Sequence, residues 1–116
     1  MNETAETLSE RAMNLLAEGR AGEAATVFRA AIRADERCFE AHHGLIRALR
    51  DSGQLEQSVA AALALTALTP NDPLAHTALS ISLQTAGHVS EAEAAAGRAR
   101  ILEWKRELAS APDEIP

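Results

Sequence analysis

Three short segments of this chain begin with glycine and lie 34 residues apart: GRAGEA at residues 19–24, GQLEQS at 53–58 and GHVSEA at 87–92. Each segment separates two stretches whose apolar residues recur with the spacing of one helix face. A fixed period of this length is typical of proteins built from stacked helix–turn–helix units. The glycine spacing therefore predicts three helix pairs that stack one upon another.

The breaks between the apolar stretches predict six helices. Glycine suits the left-handed conformation that follows a helix end, and proline cannot continue a helix. The last stretch meets no breaker before Pro112, so we expect the sixth helix to be the longest. The predicted helices run from Thr4 or Thr7 to Gly19, from just after Gly22 to Asp35 or Glu36, from Phe39 to Ser52, from Leu55 to Leu68, from Pro73 to Ala86, and from Ser90 to Ala109 or Ser110.

Capping motifs support several of these starts. TLSE at residues 7–10 fits the S/T-x-x-E capping box, and Thr4 is an equal candidate for the first N-cap. Asp72 precedes Pro73, which pairs a preferred N-cap with the residue best tolerated in the first turn. SEAE at residues 90–93 is a second capping box, and it predicts that the sixth helix starts there.

Composition favours closely packed helices and excludes several other classes of protein. Apolar residues make up 47% of the 116 residues, aromatic residues only 3%, and alanine, the strongest helix former, is abundant. No run alternates β-branched with polar residues as a strand would. The net charge of −6 offers little of the basic surface that nucleic-acid binding needs. We therefore expect an all-α protein that binds no nucleic acid.

The expected compartment is the cytoplasm. Cys38 is the single cysteine, which excludes an internal disulfide and fits a reducing environment. The acidic N-terminus does not resemble a signal peptide, and no apolar run approaches the ~18 residues that a membrane span requires. We expect no membrane insertion.

Within each repeat, the apolar and small residues resemble those of the tetratricopeptide repeat family, whose pattern is W-x2-L-G-x2-Y, then A-x3-F, then P. The second repeat reads H-x2-L-I-x2-L at residues 42–49, S-x3-A at 58–62 and proline at 70. The third reads H-x2-L-S-x2-L at 76–83 and A-x3-A at 92–96, and the first reads L-x2-R-A-x2-L at 8–15 and A-x3-F at 24–28. No repeat has the early tryptophan or the central glycine, and bulky Ile46 stands at one such glycine position.

The resemblance implies an all-α fold: a right-handed α-solenoid of three antiparallel helix hairpins with a long last helix. The repeats would cover residues 5–38, 39–72 and 73–106 of a single domain at 1–111, followed by a frayed C-terminal tail at 112–116. It also implies binding of a peptide or partner-protein segment in a concave groove formed by the first helix of each pair. The groove residues expected on this basis are Met13, Leu16, His43, Arg47, Arg50, Thr77, Ile81 and Gln84.

Acidic groups are expected in the partner. One subgroup of the family grips the carboxylates of a chaperone's C-terminus with lysines and asparagines, but the corresponding places in this chain hold no charge. Arg47 and Arg50 share a face of the third helix with His43, and a planar guanidinium suits an acidic or phosphorylated peptide. The alternative is a solvated face near Glu40 and Asp51. The places that correspond to the lysines and asparagines of that subgroup hold Ser9, Met13, Gly44, Leu74 and Ala78, none of which is charged.

His42 and His76 occupy equivalent repeat positions, and Cys38 lies one helical turn before His42. That repeat position normally packs between helices, so we interpret both histidines as replacements for an aromatic core residue. No C-x2-C or H-E-x2-H motif supports a zinc site, and no Gly-rich phosphate loop or oriented nucleophile supports catalysis. We expect no metal, no cofactor and no enzyme activity.

The last helix carries an apolar stripe beyond the body of the third repeat, formed by Ile101, Trp104 and Leu108. Repeat arrays usually end in a polar capping helix, and no seventh helix is predicted to cover this stripe. Two interpretations remain open. Either the stripe pairs two chains as a homodimer, or Trp104 folds back onto the fifth helix.

The sequence thus predicts a non-enzymatic adaptor that binds a protein or peptide partner in its concave groove. The alternative is a structural scaffold that self-associates through the C-terminal helix around Trp104.

Overall fold

The computed structural model describes residues 3–110, and these residues form six α-helices and no strand. The expected tail at 112–116 lies outside the described residues. The helices are α1 (Ala5–Ala17), α2 (Ala21–Ala34), α3 (Phe39–Asp51), α4 (Leu55–Leu68), α5 (Pro73–Thr85) and α6 (Val89–Ser110). The all-α prediction and the six-helix order are confirmed.

The turn inside each helix pair is the same motif three times. Gly19 and Gly53 have φ of +81° and Gly87 has +89°, the left-handed region that other residues rarely adopt. The amide of the residue after each glycine bonds to a carbonyl five positions back, as His88 does to Leu83 at 2.8 Å. This geometry closes the last helical turn and reverses the chain. The glycines recur every 34 residues because each one ends the first helix of a pair in the same way.

The six helices form two layers. Consecutive helices pack against each other throughout, and in addition α1 contacts α3 and α3 contacts α5. Across residues 3–110, no Cα atoms of α2, α4 and α6 lie within 8 Å of one another, and a side-chain hydrogen bond of 3.3 Å from Arg29 to Gln57 bridges α2 and α4. The first helices of the three pairs thus lie closer together than the second helices. They form the inner, concave layer, as in a tetratricopeptide-like helical solenoid.

The core has two centres. Phe28 of α2 is completely buried among residues of α1, α2 and α3, whereas Ile46 of α3 packs with residues of α4, α5 and α6. Gly44 faces the ring of Phe28, and a Cβ at this position would overlap Cε1 and Cζ of that ring. Close approach of the first and second repeats therefore depends on Gly44, two residues before the position where the family pattern has its glycine.

Two of the predicted helix starts are corrected by the structure. α2 begins at Ala21 rather than after Gly22, and α6 begins at Val89, so Ser90 lies inside the first turn and is not the N-cap. Of the two candidates for the first N-cap, the structure selects Thr4, whose hydroxyl accepts from the amide of Thr7 at 3.1 Å. The Asp72 cap of α5 is confirmed, with its carboxylate accepting from the amide of Leu74 at 3.0 Å.

α6 is much longer than the helix that it packs against. Its 22 residues span about 33 Å and the 13 residues of α5 about 20 Å. Within the described chain the backbone of α6 lies close to that of α5 and to no other helix, and its last ten residues are exposed apart from half-buried Leu102. Arg106 nonetheless reaches back to Asp72 at 3.8 Å. The far end of α6 therefore projects beyond the stack.

No helix between residues 3 and 110 is long and apolar enough to cross a membrane.

Candidate functional site: the concave groove

A groove of about 320 Å³ lies on the concave layer between α3 and α5. α3 contributes a polar wall with two arginines and a histidine, and α5 contributes a wall that is mainly aliphatic. Five of the eight residues predicted for the groove meet here. The lining residues are His43, Ile46, Arg47, Arg50, Leu74, Thr77, Ala78 and Ile81.

The other three predicted residues lie elsewhere. Met13 is exposed on α1, and Leu16 is buried in the first core cluster, where little of its side chain is left for a ligand. Gln84 is exposed on α5 but does not line this groove. The structure thus concentrates the candidate site on the second and third repeats.

Leu74 and Ala78 are groove residues that sequence reasoning did not assign. Leu74 is 63% exposed and Ile81 is 46% exposed, so both present large aliphatic side chains to solvent on the concave layer. One signal in the sequence pointed to them, since Leu74 and Ala78 occupy places at which the family resemblance implies carboxylate-binding lysines or asparagines. Both places are uncharged in this chain, and the apolar character of Leu74 and Ala78 is the feature that could have placed them in the groove.

Arg47 is an exposed residue with its own anionic partner. Its Nε lies 3.7 Å from Oδ2 of Asp51, one helical turn further along α3. An exposed pair of this kind contributes little to stability, because water and salt screen it. Arg47 therefore fits in part the alternative stated in the sequence analysis, in which this helix face is solvated and lies near Glu40 and Asp51.

Arg50 lies in a different environment. Its guanidinium is half-buried, and Nη1 lies 3.5 Å from Oγ of Ser82 on α5, a long hydrogen bond that crosses the groove floor. Burial lowers the pKa of Arg50, an effect that the nearby Asp51 opposes. Within residues 3–110 no carboxylate forms an ion pair with it. Arg50 is thus a partly desolvated cation that pairs with no carboxylate of residues 3–110.

His43 completes the polar wall. Burial lowers its pKa below the ordinary histidine value, the charge of Asp72 opposes this effect, and His42 adds to it. Near neutral pH the imidazole is therefore uncharged, and the fixed positive charge of the groove comes from the two arginines.

His42 and His76 are buried, as predicted for core replacements. The Nε2 atom of each lies 2.8 Å from a backbone carbonyl six residues earlier, that of Glu36 in one case and Pro70 in the other. These bonds tie the start of the first helix in a repeat to the loop that precedes it. Both histidines serve packing between repeats, in equivalent positions.

A larger cavity shares no lining residue with this groove. It measures about 810 Å³ and is wide open at the N-terminal end of the stack, where Glu3, Glu6 and Asp35 contribute three carboxylates and no lining residue contributes a cation. Its charge repels an acidic ligand, and no second feature marks it as a site. Volume alone therefore does not favour it over the concave groove.

The apolar stripe of α6 is exposed. Trp104 is 61% accessible, and Ile101 and Leu108 are exposed to a similar degree. The interpretation that Trp104 folds back onto the fifth helix is wrong, because α5 begins at Pro73 and does not extend alongside this part of α6. The stripe faces solvent in the single chain.

The comparisons with known proteins agree with this architecture. A family model described as Tetratricopeptide repeat matches residues 15–81, more than half of the chain. The match covers α2 to α4 completely and α5 as far as Ile81, including both walls of the groove. No curated protein matches the sequence.

Proposed function

Because the chain belongs to the tetratricopeptide repeat family, whose members are typically protein-interaction modules, we propose that it binds a segment of a partner protein in the concave groove between α3 and α5. The bound segment carries acidic groups. We further propose that this adaptor role is non-enzymatic, needs no cofactor, and operates in the cytoplasm, where its single thiol Cys38 stays reduced.

One observation carries the proposal: the two walls of the groove differ in chemistry and both are accessible. Arg47 and Arg50 supply positive charge on the α3 side, in a protein whose net charge is −6. Leu74 and Ile81 supply exposed aliphatic surface on the α5 side. A peptide with acidic and apolar side chains complements both walls at once, and arginine binds carboxylates through paired hydrogen bonds.

Reversing the groove charge tests this proposal. We expect Arg47→Glu with Arg50→Glu to abolish binding of an acidic partner segment while the circular dichroism spectrum and the melting transition are retained. Arg29→Glu with Arg33→Glu is a matched control, because these two arginines line a groove of about 300 Å³ on the outer layer. Equal loss of binding in both double variants would point to general charge repulsion and would contradict the groove assignment.

The exposed stripe of α6 supports a second candidate function, in which two chains pair through Ile101, Trp104 and Leu108 and the protein acts as a scaffold. Fully burying a side chain of this size contributes about 1.5–3 kcal/mol. Three exposed apolar residues therefore favour an assembly in which a second chain buries them. Light scattering over a wide concentration range tests it. A dimer that Trp104→Ala converts to a monomer supports pairing, and a monomer at all concentrations contradicts it.

A further inference from the structure

We propose that Arg50, and not Arg47, selects the ligand: it binds a carboxylate of the bound segment while a neighbouring aliphatic side chain of that segment contacts Leu74 and Ile81. This inference rests on the proposed function of the concave groove. It deepens that function by naming the anchoring residue and the chemical class of the ligand, an acidic residue next to a branched aliphatic one.

The two arginines differ in the acceptors that their guanidinium groups already meet. Arg47 is exposed and forms an ion pair with Asp51 on its own helix at 3.7 Å. Arg50 meets a single acceptor among residues 3–110, the Ser82 hydroxyl, and a guanidinium has five N–H donors. No described buried polar side-chain atom lacks a partner, so the unused donors of Arg50 open towards solvent in the groove. Arg50 therefore has donors available for a ligand, and no carboxylate of residues 3–110 has to be displaced from them.

A buried hydrogen bond fixes the acceptor that Arg50 meets. Ser58 of α4 donates to Ser82 of α5 at 2.6 Å, and neither side chain is accessible to solvent. Ser58 thus orients the Ser82 hydroxyl, and Arg50 extends from α3 towards this buried oxygen on α5. Ser82 is a positioning residue in this account, since it holds the cation on the α5 side before any ligand binds.

The position of Arg50 determines which ligand fits. Three α5 residues of the groove follow the chain up to Ser82: Ile81 directly precedes it, Ala78 lies one turn before it, and Leu74 lies one turn before Ala78. A carboxylate held by Arg50 is therefore within one or two residues of exposed aliphatic surface. Partial desolvation strengthens a charge-assisted hydrogen bond relative to one in water, which favours Arg50 over the solvated Arg47.

The test uses two capped synthetic peptides, one made of Glu–Leu repeats and one with every Glu replaced by Gln. Fluorescence anisotropy gives the dissociation constant of each peptide for the wild type and for Arg47→Gln, Arg50→Gln and Ser82→Ala. The decisive quantity is the ratio of the two constants, because a general loss of stability weakens both peptides together and leaves that ratio unchanged.

We expect the wild type to prefer the Glu peptide by about tenfold or more, as for a charge-assisted hydrogen bond. Arg50→Gln removes that preference, Ser82→Ala reduces it, and Arg47→Gln retains most of it. Equal loss of preference in Arg47→Gln and Arg50→Gln would overturn the anchor role and leave the proposed groove function intact. A wild type that binds neither peptide would overturn both, and so would preferences that no groove variant alters.

Discussion

The hydroxyl of Ser58 on α4 donates a 2.6 Å hydrogen bond to the hydroxyl of Ser82 on α5, and both side chains are fully buried. The surrounding core is otherwise built of small and aliphatic residues such as Val59 and Ala62. Ser58 therefore depends on Ser82, and Ser82 has only the long bond from Arg50 besides, because a buried hydroxyl without a partner costs free energy. This pair links the second and third repeats beneath the groove.

We expect a non-additive double-mutant cycle at this pair. Ser58→Ala and Ser82→Ala should each lower the free energy of unfolding by about 1–2 kcal/mol. Ser82→Ala leaves the Ser58 hydroxyl without its acceptor, and Ser58→Ala leaves the Ser82 hydroxyl with only the long bond from Arg50. The double variant should cost clearly less than the sum of the two, because it leaves neither hydroxyl unpaired. Urea denaturation measures all three variants, and strictly additive effects would contradict a direct bond.

Gly44→Ala should destabilise the protein despite the better helix propensity of alanine. The added methyl group overlaps the ring of Phe28, which is completely buried. Overpacking of this kind typically costs about 1–3 kcal/mol, against a propensity gain of about 1 kcal/mol. The matched control is Gly97→Ala in α6, where the nearest atom lies 3.8 Å away. A gain of up to about 1 kcal/mol is expected there. Equal effects at the two glycines would contradict the proposed contact.

The ion pair of His88 and Glu56 predicts a pH-dependent term in stability. The two side chains approach to 2.8 Å and join the turns of the second and third repeats. The hydrogen bond and charge of Glu56 raise the pKa of His88, and Glu91 adds to this. Because the folded value lies above the unfolded one, the contribution is complete below about pH 6.5 and is lost as the pH rises through the folded pKa.

Thermal melts of the wild type and His88→Gln measure this term. The difference in melting temperature should be larger at acidic pH than above the folded pKa, and Glu56→Gln should remove the dependence in the same way. A difference that grows with pH would mean that the sign of the linkage is wrong.

His43 should report on ligand binding. In the free protein burial lowers its pKa, so we expect it to titrate below the ordinary histidine range in NMR spectra. A bound carboxylate should raise that pKa, and the affinity for an acidic peptide should then increase as the pH falls towards the titration range. An unchanged His43 titration at saturating peptide would place the ligand outside this groove.

Local signals predicted most of the helices. α3 and α4 begin at Phe39 and Leu55 as expected, and α6 ends at Ser110, within the predicted choice. The predicted start of α6 at Ser90 was wrong because the turn closed by Gly87, rather than a serine cap, determines where the helix begins. The role of Gly44 could not be predicted for another reason. Gly44 lies in the second repeat and Phe28 in the first, so no local sequence pattern reveals their contact.

The candidate site was only partly predictable. Helical spacing placed His43, Arg47 and Arg50 on one face of the third helix, and the structure brings them together in one groove. The same spacing could not separate Arg47 from Arg50, because their burial depends on how closely α5 approaches α3. The exposure of Trp104 likewise follows from the short length of α5, a relation between two helices rather than a property of one.

The most direct test of the groove proposal is an NMR titration of the isotope-labelled protein with the Glu–Leu peptide. The account predicts that saturable shift changes cluster at His43, Arg50, Thr77 and Ile81 and are absent in the Arg47→Glu, Arg50→Glu variant. Shift changes centred on Trp104 or on the outer layer, with the groove signals unmoved, would contradict it.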